Sequence, residues 1–182
     1  MGCVHIYCGD GKGKTTAAVG LAVRMAGYDE PVILARFLKN DESGEVAALS
    51  HLPSVEVLPC SRSFGFTWQM SDAQKAEAAD YYKDFLNDAL NRVTQKVDGQ
   101  ELDDGPTVLL ILDEICAAIN SGLVQERQVL DFLDTRPEHT EVVLTGRNPS
   151  EELMKRADYI SEIQKQKHPF DGGTAARKGI EY

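Results

Sequence analysis

Short apolar runs alternate with longer amphipathic stretches along the chain. The runs at 3–8, 32–38, 55–58, 108–112, 142–145 and 159–163 read as strands, and helices are expected over 14–26, 44–52, 71–97, 124–133 and 150–157. Strands taking turns with helices favour parallel pairing, because a parallel connection needs a crossover and a helix supplies one. The expectation is an α/β fold of three layers, with helices on both faces of a mostly parallel sheet of about six strands. The longest helix is the best marked. Ser71 and Gln74 make a capping box, and Tyr81, Phe85, Ala89 and Val93 recur at every fourth position, as a core-facing stripe does. Asn148-Pro149-Ser150-Glu151 offers a cap ahead of Leu153, and Gly27 follows the first helix. Residues 98–106, with their Gly, Asp and Pro, read as a surface connection. The stretch 164–182 fits neither period and is either a mobile end or a loop that closes over a ligand.

Composition narrows the class of partner. A chain of 182 residues, 42% hydrophobic, suits one domain with a sizeable core. Its 19 basic and 29 acidic residues leave a net charge of -10, so neither nucleic acid nor an anionic membrane surface is expected to bind it broadly. A nucleotide is still admissible, because backbone amides supply a local positive field that net charge does not count. Cys3, Cys8, Cys60 and Cys116 form no Cys-x-x-Cys pair, so no zinc site or disulfide framework is indicated. With no apolar run long enough to span a bilayer and no secretory leader pattern, a cytoplasmic protein is expected.

The candidate chemistry begins directly after the first strand. Gly9-Asp10-Gly11-Lys12-Gly13-Lys14-Thr15-Thr16 runs into a helical pattern, the strand, glycine loop and helix order of a phosphate-binding loop. Consecutive backbone N–H groups in such a loop point at phosphate oxygens, and the helix N-terminus adds partial positive charge. Lys14 would neutralise phosphate, and the Thr15 hydroxyl is placed to ligate Mg²⁺. The motif departs from the standard pattern in having Cys8 where a glycine is usual; Gly9 and Gly11 supply the flexibility. The plain alternative is a glycine-rich turn.

Two further strand ends deliver charge to the edge where α/β sheets bind ligands. The run at 108–112 ends in Asp113-Glu114, of which Glu114 is the first choice and Asp113 the second for holding Mg²⁺; a helix-capping acid is the competing role for Asp113. The run at 142–145 ends in Gly146-Arg147, and Arg147 is a candidate phosphate clamp against the simpler reading of a surface arginine. Lys12 and Lys39 are weaker clamp candidates. None of His5, His51, His139 and His168 has a paired partner in sequence, so no general base is indicated. Ser63-Phe64-Gly65-Phe66-Thr67-Trp68 sets three aromatic rings in one loop, which either cap the core or meet a ligand.

Taken together these segments resemble the ATP:corrinoid adenosyltransferases, whose loop reads Gly-Asn-Gly-Lys-Gly-Lys-Thr-Thr. The likeness extends to Gly65-Phe66-Thr67-Trp68, Leu112-Asp113-Glu114, Arg136-Pro137, Thr145-Gly146-Arg147, Lys167-His168-Pro169-Phe170-Asp171 and Gly179-Ile180-Glu181-Tyr182. The resemblance implies a P-loop, RecA-like sheet, usually dimeric. It also implies transfer of the 5′-deoxyadenosyl group of Mg-ATP to the Co(I) of a reduced corrinoid, with triphosphate leaving. Phe66 and Trp68 would then press on the lower corrin face, and a reduced flavin or flavoprotein would supply electrons. Asp10 replaces the family's Asn, setting a negative charge beside an anionic substrate unless it faces ribose or a cation. The N-terminal extension that some relatives fold over the corrinoid is missing before the first strand, and the C-terminal tail is the candidate cover. A P-loop kinase or ATPase acting at the γ-phosphate, and an ATP-binding module without chemistry, are the competing classes.

Overall fold

The computed structural model describes residues 2–62, 64–65, 67–97 and 108–182, with the Trp68 side chain outside the description. Phe66 and the connection read at 98–106 also lie outside the described residues. Six strands, β1 (Val4–Cys8), β2 (Val32–Arg36), β3 (Val55–Val57), β4 (Val108–Asp113), β5 (Thr140–Thr145) and β6 (Tyr159–Glu162), form one sheet in the order β3-β2-β4-β5-β1-β6. Every pairing is parallel. All the carboxyl ends therefore share one edge, and β5 separates the strand that feeds the glycine loop from the strand that ends in Asp113.

Alternation along the strands explains the layers. Leu109 and Ile111 of β4, with Val32 and Leu34 of β2, face α1 (Lys14–Ala26) and α2 (Gly44–Leu49). Val108, Leu110 and Leu112 face the other way, toward α3 (Asp72–Val97), α4 (Ile115–Asn120), α5 (Glu126–Thr135) and α6 (Glu151–Arg156). Strand β4 is buried at all six positions, which is why its sequence is a continuous apolar run and not an alternating one.

The helix signals are met in detail. Ser71 N–H donates to Gln74 Oε1 at 2.9 Å and Gln74 N–H to Ser71 Oγ at 3.3 Å, the reciprocal capping box. Leu153 N–H donates to Ser150 Oγ at 3.1 Å. Phe85, Ala89 and Val93 are buried and Tyr81 is half-buried at the edge of the core; Ala78, Tyr82 and Leu86 are buried as well, so the stripe is wider than one residue per turn. Gly27 ends α1 in right-handed geometry at φ -67; the left-handed residue of that turn is Asp29 at φ 61. The short helix α4 was not expected, because six residues are too few to show a period.

Candidate functional site

The glycine loop connects β1 to α1 at the carboxyl edge of the sheet. Gly9 has φ 102, and Gly13, the residue before α1, has φ 126, backbone that only glycine adopts without strain. Gly9 is also needed for space, since a Cβ there would lie 2.4 Å from the Ile163 carbonyl oxygen. Gly11 N–H donates to that same oxygen at 2.7 Å, so the segment after β6 is docked on the loop. Gly9→Ala is expected to cost about 1–3 kcal/mol, through left-handed strain and displacement of residue 163. Thermal unfolding checks it; a variant melting with the parent would show that the segment shifts freely.

Lys14 is almost buried and turns back on its loop, donating to the Gly11 carbonyl at 2.8 Å. Burial holds its pKa below the usual lysine range; Glu114 opposes that shift and Arg147 adds to it. Asp10 lines the smaller cavity and also ties the loop to the segment after β6. Its Oδ1 accepts the Lys165 N–H at 2.9 Å, and that bond is the main cause of its lowered pKa. An asparagine side-chain oxygen would accept the same hydrogen bond.

Asp113 is the hub of the site. It is fully buried, and its Oδ1 accepts from Thr15 Oγ1 at 2.9 Å and Thr145 Oγ1 at 2.7 Å. Its Oδ2 accepts from Lys39 Nζ at 2.5 Å, and the same ammonium donates to Thr15 Oγ1 at 2.9 Å. Sheet register explains the convergence: Arg36 of β2 lies beside Asp113, and Leu112 beside Leu144 sets Thr145 on its other flank. Glu114 is different. It precedes α4 in left-handed conformation at φ 60, its N–H donates to Thr145 Oγ1 at 2.9 Å, and it lines a cavity with Thr15. Gly146, at φ 142, brings the next loop against α4, where a Cβ would sit 2.7 Å from Cys116 Cβ. Arg147 follows it, exposed, and lines a cavity of about 390 Å³ with Gly9, Asp10 and Lys165. Lys12 is exposed.

Thiol chemistry at the loop is disfavoured. Burial pushes the Cys8 pKa up, and that of Cys116 up to about 12, so both remain protonated thiols near neutral pH. No histidine lines either cavity among the described residues. His5 has a partner that its sequence neighbourhood did not reveal, Glu141 Oε1 at 2.5 Å from Nε2, and it stacks on Tyr159 away from the loop. His168 Nδ1 accepts from the Phe170 N–H, opening the 3-10 turn Pro169–Gly172.

A second cavity, about 1200 Å³, runs from Thr15 and Thr16 past Lys39 to Gly65 and Thr67 and is bordered by Tyr182. The first turn of α1, the backbone around Gly65 and Thr67 and the end of the tail thus share one space, while Gly9 and Asp10 of the glycine loop line the smaller cavity. Of the three rings in the aromatic segment, Phe64 packs on Tyr81 and Tyr82 with the Arg62 guanidinium over it, a core-capping contact. The backbone of Trp68 lies in the 3-10 turn Thr67–Gln69. Two members of the Asp113 cluster, Lys39 and Thr145, were underweighted or missed in the sequence. Their available signal was position, each falling at or just past a carboxyl strand end.

Comparison with known proteins finds relatives along the whole length of the chain. A corrinoid adenosyltransferase of Pseudomonas aeruginosa is 33% identical over 186 residues, covering 100% of this chain and 84% of its own length. The corrinoid adenosyltransferase CobA of Salmonella typhimurium is 31% identical, covering 100% and 86%, and an Escherichia coli corrinoid adenosyltransferase is also 31% identical. Among solved structures, ATPases 2 and 3 of EssC from Geobacillus thermodenitrificans superpose with a TM-score of 0.51 at 14% identity, over 99% of this chain and 36% of that one, a likeness of fold alone. The profile of the family described as ATP:corrinoid adenosyltransferase BtuR/CobO/CobP matches residues 1–182, and the chain belongs to that family.

Proposed function

We propose that this chain, acting as a single domain, transfers the 5′-deoxyadenosyl group of ATP to the Co(I) of a reduced corrinoid and releases triphosphate. The observation that carries the reading, beside family membership, is the shared cavity of about 1200 Å³, which joins Thr15 and Thr16 to the segment at Gly65 and Thr67. Its size is above the usual range for a nucleotide or drug-sized ligand alone, roughly 300–1,000 Å³.

In this reaction Co(I) supplies both electrons of the new cobalt–carbon bond, and the C5′–O bond breaks with its pair leaving on the triphosphate. No proton moves, so no general base is needed. What the protein must do is hold the triphosphate and balance the charge that develops on it. The loop amides and the α1 N-terminus serve the first task; Lys14 and Arg147 serve the second. Mg²⁺ fits Thr15 and Asp113, because the position beside Thr15 Oγ1 and Asp113 Oδ2 already accepts a cation, the Lys39 ammonium. When bound, the metal neutralises phosphate oxygens. Glu114 lines the cavity together with Thr15 and is the second carboxylate open to the metal.

Phe66 and Trp68 are assigned, by family likeness, to the lower corrin face, where removal of an axial ligand eases reduction of Co(II) by a flavin or flavoprotein donor. The chain is further proposed to work as a homodimer in cytoplasmic cobalamin biosynthesis or salvage. Phe66→Ala combined with Trp68→Ala is expected to spare adenosylation of chemically reduced Co(I) while slowing the coupled reaction from Co(II) at least about tenfold. Equal loss in both assays would assign the rings to the fold. The function itself is tested by adding Mg-ATP and chemically reduced cobalamin and following the absorbance of the cobalt–carbon product, which a γ-phosphate kinase or a passive ATP-binding module would not form.

A further inference from the structure

The Lys39 ammonium occupies the ground that a metal ion at this site would use. It touches both Thr15 Oγ1 and the Asp113 carboxylate, at 2.9 and 2.5 Å, from a position 74 residues away from Asp113 in the chain. The loop that carries it is fastened on both sides. Phe37 N–H donates to the Asp113 carbonyl at 2.9 Å, and the buried Arg36 guanidinium donates to the Asn40 carbonyl. Between these anchors Leu38 has φ 58, a left-handed conformation unfavourable for a γ-branched side chain. The backbone accepts that strain where it aims Lys39 at the carboxylate.

We propose that Lys39 and the divalent metal compete for Thr15 and Asp113, so that the site rejects a bare metal ion and admits it only as the metal–nucleotide complex. The proposal rests on the reading of Thr15 and Asp113 as the metal-holding pair. Mg²⁺ requires oxygen ligands at about 2.0–2.1 Å in octahedral array, and an ammonium on the same two oxygens blocks that approach and repels the ion. Asp113, fully buried, needs a counter-charge at all times. Lys39 supplies it locally and at no concentration cost. A free metal ion must displace this tethered charge with two protein oxygens as its reward, whereas the nucleotide complex brings phosphate ligands and negative charge of its own. Lys39 is therefore a positioning residue that couples metal entry to nucleotide entry.

The test measures Mn²⁺ binding by electron paramagnetic resonance, without nucleotide, for the parent, K39M and K39M/D113N, and with ATP for the parent and D113N. Thermal unfolding of each is followed in EDTA and in millimolar Mn²⁺. K39M is expected to bind Mn²⁺ at least about tenfold more tightly than the parent, as removal of a competing charge requires, and the double variant to lose that gain. K39M should also melt below the parent in EDTA and recover in Mn²⁺. Binding no tighter than the parent's, or a variant as unstable in Mn²⁺ as in EDTA, overturns the proposal. The ATP arm separates the two readings: if D113N leaves Mn²⁺ binding with ATP unchanged, the metal-site assignment falls and this proposal with it. If D113N weakens that binding but K39M gains nothing, only the competition falls.

Discussion

Lys14→Met is expected to lower kcat/KM for ATP by on the order of 10²–10³, the usual cost of removing one preorganised charge from a site where negative charge develops. The lysine is well placed for such an effect. The residue is almost buried, its amine donates to the Gly11 carbonyl, and burial lowers its pKa. Desolvation outweighs the nearby Glu114 and Asp10 carboxylates, and a triphosphate adds further negative charge, so binding should raise that pKa again. Methionine keeps the length of the stem and deletes the charge. The fold should survive, since a desolvated cation is removed and no partner charge is stranded in the core. Steady-state kinetics with chemically reduced cobalamin, beside a thermal melt, check both halves. A loss below about tenfold would mean that the phosphate charge is balanced elsewhere.

Asp113→Ala is expected to act on stability as strongly as on turnover. The carboxylate is fully buried and accepts from Thr15, Thr145 and Lys39, and its loss strands an ammonium that is 28% exposed together with two hydroxyls. Breaking a buried pair by removing one member costs about 3–5 kcal/mol, most of it from the charge left behind. The partial exposure of Lys39 puts the estimate at the lower end. Urea denaturation measures it; a change under about 1 kcal/mol would show that water compensates Lys39 readily.

The elements were legible because each announces itself locally. Six apolar runs, a glycine loop and a Ser71–Gln74 cap are statements about neighbouring residues, and local rules read them. The cluster at Asp113 was not legible in the same way. Its hydrogen-bond partners lie 98, 32 and 74 residues away and meet only when β2, β4 and β5 align in register. In sequence Asp113 and Glu114 are adjacent acids, told apart only by the helix-capping role open to Asp113. In the fold one is buried among three donors and the other faces a cavity. Asp10 shows the converse. It stands out in sequence as a charge within the glycine loop, and the fold adds a bond from the Lys165 N–H, a contact spanning 155 residues. The tail, open in sequence between a free end and a cover, lies with Gly179 and Tyr182 on the wall of the larger cavity.

The account as a whole requires that carbon, and not phosphorus, is the atom attacked in ATP. Phosphorus NMR of the products formed from Mg-ATP and chemically reduced cobalamin reads this directly. Tripolyphosphate appearing in step with the cobalt–carbon product is the predicted result. ADP and orthophosphate, with the corrin left unalkylated, would contradict it.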